Sequence, residues 1–271
     1  REAGGPSPLT HALFRRTLGP RGPAPDRTGR AASGMSAVRP RLPLALFLLA
    51  GAALTLAAGL MLFSTFMLYD DEGYVLFSLR NFALHGHLYY QVYSQYGPAP
   101  YLLYGALHAL GLPFTHTAGR LLTLGIWSGA ALLAAGMTWG ATRSATGMLA
   151  TLAGVFVYLW VMVSEPNHPG GLVVLGTAVL AALGHRWLAA GRWQAWAALA
   201  GAGSAFLLLT KINVGAFAAL AAAALLLLHS RSDRLRRAAP WALAAGLAAL
   251  PFLLMRPLLG EPWVRTYALL F

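Results

Sequence analysis

The sequence predicts an all-α, polytopic transmembrane helical bundle of about seven spans, with interfacial helices in its first outer loop. Three observations carry that prediction. Hydrophobic residues make up 58% of the 271-residue chain and charged residues only 10%, against about a quarter charged in an ordinary soluble domain. The mean hydropathy is +0.60. The apolar residues fall in long runs separated by short polar breaks, which is how a chain reads when each run must cross hydrocarbon as a helix. The composition excludes a cytosolic enzyme and a secreted disulfide scaffold. Zero Cys excludes thiol catalysis, thiolate metal sites and disulfides.

Residues 1–40 are rich in Gly, Pro, Ala and Arg, lack hydrophobic periodicity and read as a disordered basic tail. The first Met is Met35, followed by an ordinary start for a membrane protein, so residues 1–34 read as sequence translated upstream of the true start or as a functionless tail. Residues 41–271 form the membrane domain. Its first apolar run, 43–68, is too long for a signal-peptide core and shows no cleavage site. Further runs follow at 118–140, 146–163, 170–189, 193–209, 212–229 and 239–256, the run 193–209 being short.

Arg and Lys set the orientation. Residues 1–41 hold eight Arg against Glu2 and Asp26, and four more Arg cluster at 231, 234, 236 and 237. The net charge of +12 therefore sits in membrane-flanking clusters rather than on a nucleic-acid-binding face. With the tail in the cytoplasm and seven spans, Arg143, Arg186, Arg192 and the 231–237 cluster all fall inside. The segments 69–117 and 164–169, the Thr210–Lys211 turn and the C-terminal end fall outside. This makes 98–112 a surface or re-entrant segment, since a further span would move the 231–237 cluster outside.

Outside the tail and the basic loop, five acids remain: Asp70, Asp71, Glu72, Glu165 and Glu261. All five fall on the outer face of the seven-span arrangement. Carboxylates at a membrane boundary serve as solvated helix ends or as functional acids, and their positions leave both open. After them, Val75, Leu76, Leu79, Phe82 and Ala83 share one helical face with Arg80 and Asn81 on the polar side, which predicts an interfacial helix that breaks at His85-Gly86-His87. Tyr89, Tyr90, Tyr93, Tyr96, Tyr101 and Tyr104 follow around Gly97-Pro98-Ala99-Pro100. Tyr suits a membrane interface, and it also stacks on sugar rings.

These residues resemble a family. Tyr69-Asp70-Asp71-Glu72-Gly73-Tyr74 at the end of a first span, then His85-Gly86-His87-Leu88-Tyr89-Tyr90, then Gln95-Tyr96-Gly97-Pro98-Ala99-Pro100-Tyr101-Leu102-Leu103-Tyr104, look like the first outer loop of membrane glycosyltransferases of the GT-C superfamily. The protein O-mannosyltransferase and lipid A aminoarabinose transferase branch is the most similar. Arg120-Leu121-Leu122 resembles the family's opening of span two, and Leu207-Leu208-Leu209-Thr210-Lys211 its Leu-Leu-Thr-Lys turn. The resemblance covers about residues 43–229 and rests on the order and spacing of motifs that are individually weak.

The resemblance implies an enzyme that takes a sugar from a polyprenyl-phosphate carrier and transfers it to a lipid, glycan or protein acceptor on the non-cytoplasmic face of the plasma membrane. The first-loop acid implied as the base is Asp71, which precedes Glu, with Asp70 in reserve and Glu72 beside them; a carboxylate there takes the acceptor proton during attack on the anomeric carbon. Lys211, the single Lys beside nineteen Arg, joins Arg80 and Arg120 as candidates for the carrier phosphate, although a cation at a span end also simply snorkels. Tyr89, Tyr90, Tyr96 and Tyr101, with Glu165, Asn167 and His168 of the second outer loop, are expected to line the substrate path. The second outer loop departs from the family pattern: Ser164-Glu165-Pro166-Asn167-His168-Pro169 puts Asn167 where an Asp is expected. Either the acid has moved to Glu165 or the second site is weakened. His168 beside Glu165 gives two ligands, too few for a metal site, and reads as a solvated loop histidine. No cofactor is specified, and a divalent cation is left open. No strand-linked phosphate loop accompanies the many glycines. Family members run to about twice this length, so the chain reads as the first half of such an enzyme. A transporter or flippase subunit and a non-catalytic assembly protein are the rival readings.

Overall fold

A computed structural model describes residues 41–65, 71–230 and 232–270. The tail at 1–40, Asp70 and Arg231 lie outside the described residues, as does the side chain of Asp71. Among the described residues the chain is an all-α bundle with no β-strand. Its helices are α1 (Arg41–Ser64), α2 (Asp71–His85), α3 (Pro98–Ala109), α4 (His116–Thr142), α5 (Ala145–Trp160), α6 (Gly170–Ala189), α7 (Trp193–Thr210), α8 (Ile212–Leu228), α9 (Asp233–Leu254) and α10 (Pro262–Leu270).

The seven apolar runs of the sequence fall on α1 and α4–α9. Four of these helices, α1, α4, α6 and α9, are long and apolar enough to cross a membrane. Helices α5 and α8 are apolar but have 16 and 17 residues, short of the roughly 20 that a 30 Å hydrocarbon core asks for. The last run was expected to begin at 239, yet α9 starts at Asp233, so Arg234, Arg236 and Arg237 form its first turns. Helix α4 has 27 residues, about 40 Å at 1.5 Å per residue.

The breaks have local causes. Gly86 ends α2 with a left-handed φ of 72°, a conformation that glycine adopts without steric cost. Thr115 caps α4 by accepting from the Ala118 N–H, and Arg143 closes it in the left-handed conformation. Ser144 then caps α5 through the Gly147 N–H. Lys211 alone separates α7 from α8, in an extended conformation (φ −146°, ψ 105°) that reverses the chain.

Helix α4 packs on both α5 and α6, and each helix from α6 to α9 packs on its sequence neighbour, as short connections require. Helix α4 is central, touching α1, α5 and α6. Its buried face carries Trp127 and the small residues Ala130, Ala131 and Ala135, and Trp127, Ala131 and Ala135 share one core cluster with Leu62 from α1 and Leu152 and Phe156 from α5. Small residues of this kind let helix backbones approach closely where no hydrophobic drive separates helix from lipid. The outward faces stay apolar: Leu48, Leu56 and Leu60 on α1 and Leu253 on α9 are exposed, the arrangement suited to lipid.

Because neighbours alternate in direction, one end of the bundle collects the C-terminal ends of α1, α5 and α7 and the N-terminal ends of α4, α6 and α8. Glu72 and Glu165 lie at that end. Arg143, Arg192 and the first turns of α9 lie at the other, where Trp193 of α7 meets His229 after α8 with ring centroids 4.5 Å apart.

Candidate functional site

Helix periodicity builds the first layer of the acidic end. His116, Arg120 and Thr123 recur at i, i+4 and i+7 along α4, so they share one face. Glu72, in the first turn of α2, is buried at 5% exposure and faces them. Arg120 grips it from the side: Nη2 lies 2.8 Å from Oε2, and Nε lies 3.0 and 3.1 Å from the two carboxylate oxygens. The other arm of the guanidinium, Nη1, donates to the Leu62 carbonyl at 2.7 Å. One side chain thus ties the end of α1, the start of α2 and the start of α4. His116 Nδ1 stands 3.0 Å from the same carboxylate.

Asn167 extends this network into the second loop. It is buried, in a left-handed conformation (φ 68°) that asparagine tolerates better than most residues. Its N–H donates to Thr123 Oγ1 at 2.9 Å, its Oδ1 accepts from the Tyr104 hydroxyl at 3.1 Å, and its Nδ2 approaches Glu72 Oε1 at 3.5 Å. A Cβ at position 119 would collide with the Asn167 amide, so Gly119 makes room for it. Burial pushes the Tyr104 phenol well above its ordinary pKa of 10.0, which keeps it a neutral donor to Asn167. Tyr101 is shifted the same way by burial.

Above this layer the two loops enclose a polar pocket of about 290 Å³. Tyr74 and Val75 of α2, Gln95 and Tyr96 of the first loop, and Glu165, Pro166 and His168 of the second line it. The Tyr96 hydroxyl lies 2.8 Å from His168 Nε2, and the rings meet edge to face with centroids 5.3 Å apart. His168 Nδ1 accepts from the Gly170 N–H at 3.0 Å. An N–H can only donate, so the ring hydrogen of the neutral tautomer sits on Nε2 and points at Tyr96. Gln95 Nε2 also donates to the Tyr96 hydroxyl at 3.1 Å, and Glu165 Oε2 stands 3.7 Å from His168 Nε2.

The Thr210–Lys211 turn joins the same end. The Gly97 N–H donates to the Thr210 carbonyl at 3.1 Å. A Cβ on Gly97 would run into the Leu209 carbonyl, so the loop lies on α7 only because residue 97 lacks one. Lys211 is half-buried there.

The placement of the expected site residues is mixed. Glu72, Asn167, Glu165, His168 and Tyr96 come together. Arg120 joins them as the partner of Glu72, not as a side chain turned toward a phosphate. Asp71 opens α2 next to Glu72, with its side chain outside the described residues, and Asp70 lies outside them altogether. Arg80 is exposed two turns along α2 and makes no hydrogen bond or ion pair among the described residues. Tyr101 packs on Phe82 in the core (ring centroids 5.5 Å), so it supports α3 on α2 rather than lining the pocket. Tyr89 and Tyr90 are exposed on the turn at 88–92; Tyr89 has φ 71° and donates its hydroxyl to the Tyr96 carbonyl at 2.8 Å. His168, expected as a solvated loop residue, retains only 19% side-chain exposure. Tyr74, Gln95 and Tyr104 stand in the first-loop motifs without an individual role, and His116 and Thr123 are not singled out by the sequence. The i, i+4, i+7 spacing of His116, Arg120 and Thr123 was the signal available.

Among the described residues, no group of three or more His, Asp or Glu is placed to hold a metal ion. Glu165 and His168 supply two such groups. No protein-family model, curated protein or solved structure matches the chain.

Proposed function

We propose that the chain is a membrane glycosyltransferase that takes a sugar from a polyprenyl-phosphate carrier and passes it to an acceptor at the acidic end of the bundle. The observation that carries this reading is the meeting of both loops at one polar pocket, with the Thr210–Lys211 turn held against the first loop at Gly97, at the end of a helical bundle whose outer faces are apolar. The resemblance of those same segments to the GT-C superfamily supplies the chemistry.

In this reading Asp71 takes the proton of the acceptor hydroxyl as its oxygen attacks the anomeric carbon. A new C–O bond forms, the bond from that carbon to the phosphate oxygen breaks, and the carrier phosphate leaves with the electron pair. Glu72 is a positioning residue: its carboxylate is neutralised by Arg120, which holds the first turn of α2, and hence Asp71, against α4. Lys211 and Arg80 are the cations left for the leaving phosphate. The Arg-rich helix ends opposite the pocket support a cytoplasmic location for them, with the pocket on the outer face of the plasma membrane.

Membranes carrying the full chain are to be supplied with a panel of radiolabelled polyprenyl-phosphate sugars, beside Asp71→Asn at equal expression. Label leaving the carrier in the wild type and staying on it in the variant supports the reading. Equal transfer in both removes Asp71 from the chemistry.

A further inference from the structure

Glu165 brings a formal negative charge to the pocket, and it is the only such charge among the described lining residues. Tyr74, Gln95 and Tyr96 are uncharged. His168 accepts from the Gly170 N–H through Nδ1, which leaves Nε2 on the Tyr96 side of the ring. The Glu165 side chain is 42% exposed, with its carboxylate toward the pocket and 3.7 Å from the imidazole. Besides the apolar Val75 and Pro166, the remaining wall offers an amide, two phenols and an imidazole, groups that between them donate to and accept from hydroxyls. The volume of about 290 Å³ sits at the lower edge of the roughly 300–1,000 Å³ range of small-molecule sites. That is room for a single ring, with no space for a longer glycan.

Resting on the glycosyltransferase reading, we propose that this pocket holds one uncharged sugar ring and that Glu165 is its specificity-determining residue, excluding acidic sugars. A uronate carboxylate in the pocket would stand beside that of Glu165 in a partly enclosed site, where like charges repel. A neutral ring gives Glu165 hydroxyl donors instead, and Gln95 and the Tyr96–His168 pair anchor its other hydroxyls.

The test is ligand-observed saturation-transfer NMR on the purified full chain in detergent micelles, with methyl mannoside and methyl glucuronide at equal concentration. The wild type is expected to favour the neutral glycoside by about tenfold, the partial exposure of Glu165 screening the repulsion from more. Glu165→Gln is expected to bring the ratio close to one, and an unchanged thermal unfolding temperature in the same micelles shows that it is folded. Equal binding of both sugars by the wild type, an unchanged ratio in Glu165→Gln, or no binding of either sugar overturns the assignment. The carrier assay fails separately. Discrimination without transfer from any carrier sugar leaves the pocket assignment standing and removes the polyprenyl-phosphate reading. Transfer without discrimination does the reverse.

Discussion

The Tyr96 hydroxyl and His168 Nε2 lie 2.8 Å apart, although 72 residues separate them in the chain. This contact closes the pocket wall between the first and second loops. It also fixes the imidazole tautomer, because the opposite ring nitrogen is held by the Gly170 N–H. The donor and acceptor pattern of the pocket is therefore built before any ligand arrives, which lowers the ordering cost of binding one.

Removing one member of the Glu72–Arg120 pair leaves a buried charge uncompensated, and such losses cost about 3–5 kcal/mol. Arg120→Ala should lower thermal stability by that order in detergent-solubilised protein. A double variant, Glu72→Leu with Arg120→Leu, should recover part of the loss, because no lone charge remains buried. Thermal unfolding of the three variants measures this.

Gly97→Ala and Gly119→Ala should each destabilise the chain, since the added methyl meets the Leu209 carbonyl in one case and the Asn167 amide in the other. The Leu209 carbonyl belongs to a helix backbone and cannot yield, so overpacking costs of about 1–3 kcal/mol are expected. Gly105→Ala, in the middle of α3 with nothing within 4 Å of the new methyl, is the control. It should be neutral or stabilising by up to about 1 kcal/mol through helix propensity.

Tyr104 gives a pH prediction. Its folded-state pKa is raised above the ordinary value of 10.0 by burial, so the proton is held more tightly in the folded chain. Its contribution is fully present below pH 10 and is lost as pH rises through the folded value. Stability should be flat with respect to Tyr104 up to about pH 10 and fall beyond it. Tyr104→Phe should fall less steeply there, while costing about 1–3 kcal/mol near neutrality for the unpaired Asn167 oxygen. Denaturant titrations at pH 8 and pH 11 on both proteins compare the slopes.

Much of the bundle is legible in the residues. The breaks at Gly86, Arg143 and Lys211 fall where the helices end, because each is a local backbone event: a left-handed glycine, a left-handed cap and an extended reversal. Span status is less legible for α5 and α8: the run at 146–163 gives its last residues to the turn after Trp160, and α8 has only 17 residues. The site is legible in its segments and not in its pairings. Arg120 reads as a phosphate ligand from its place in the chain, and only the fold brings Glu72, 48 residues away, into its fork. Tyr101 reads like its Tyr neighbours along the loop, but the turn of α3 points it at Phe82.

The absence of Cys from the chain gives a clean background for topology mapping. Tyr90→Cys, at 91% exposure on the first loop, should react with a membrane-impermeant maleimide in intact cells. Arg143→Cys, at the opposite helix end, should react only after the membrane is opened. Labelling of position 143 from outside would reverse the proposed orientation.

The most direct test of the central claim is transfer of radiolabelled sugar from a polyprenyl-phosphate carrier by membranes containing the full chain, compared with Asp71→Asn at matched expression. The account predicts transfer by the wild type and a loss of at least about a hundredfold in the variant, the lower end of what a general base contributes. Transfer undiminished by Asp71→Asn, or no transfer from any carrier sugar in the panel, would contradict it.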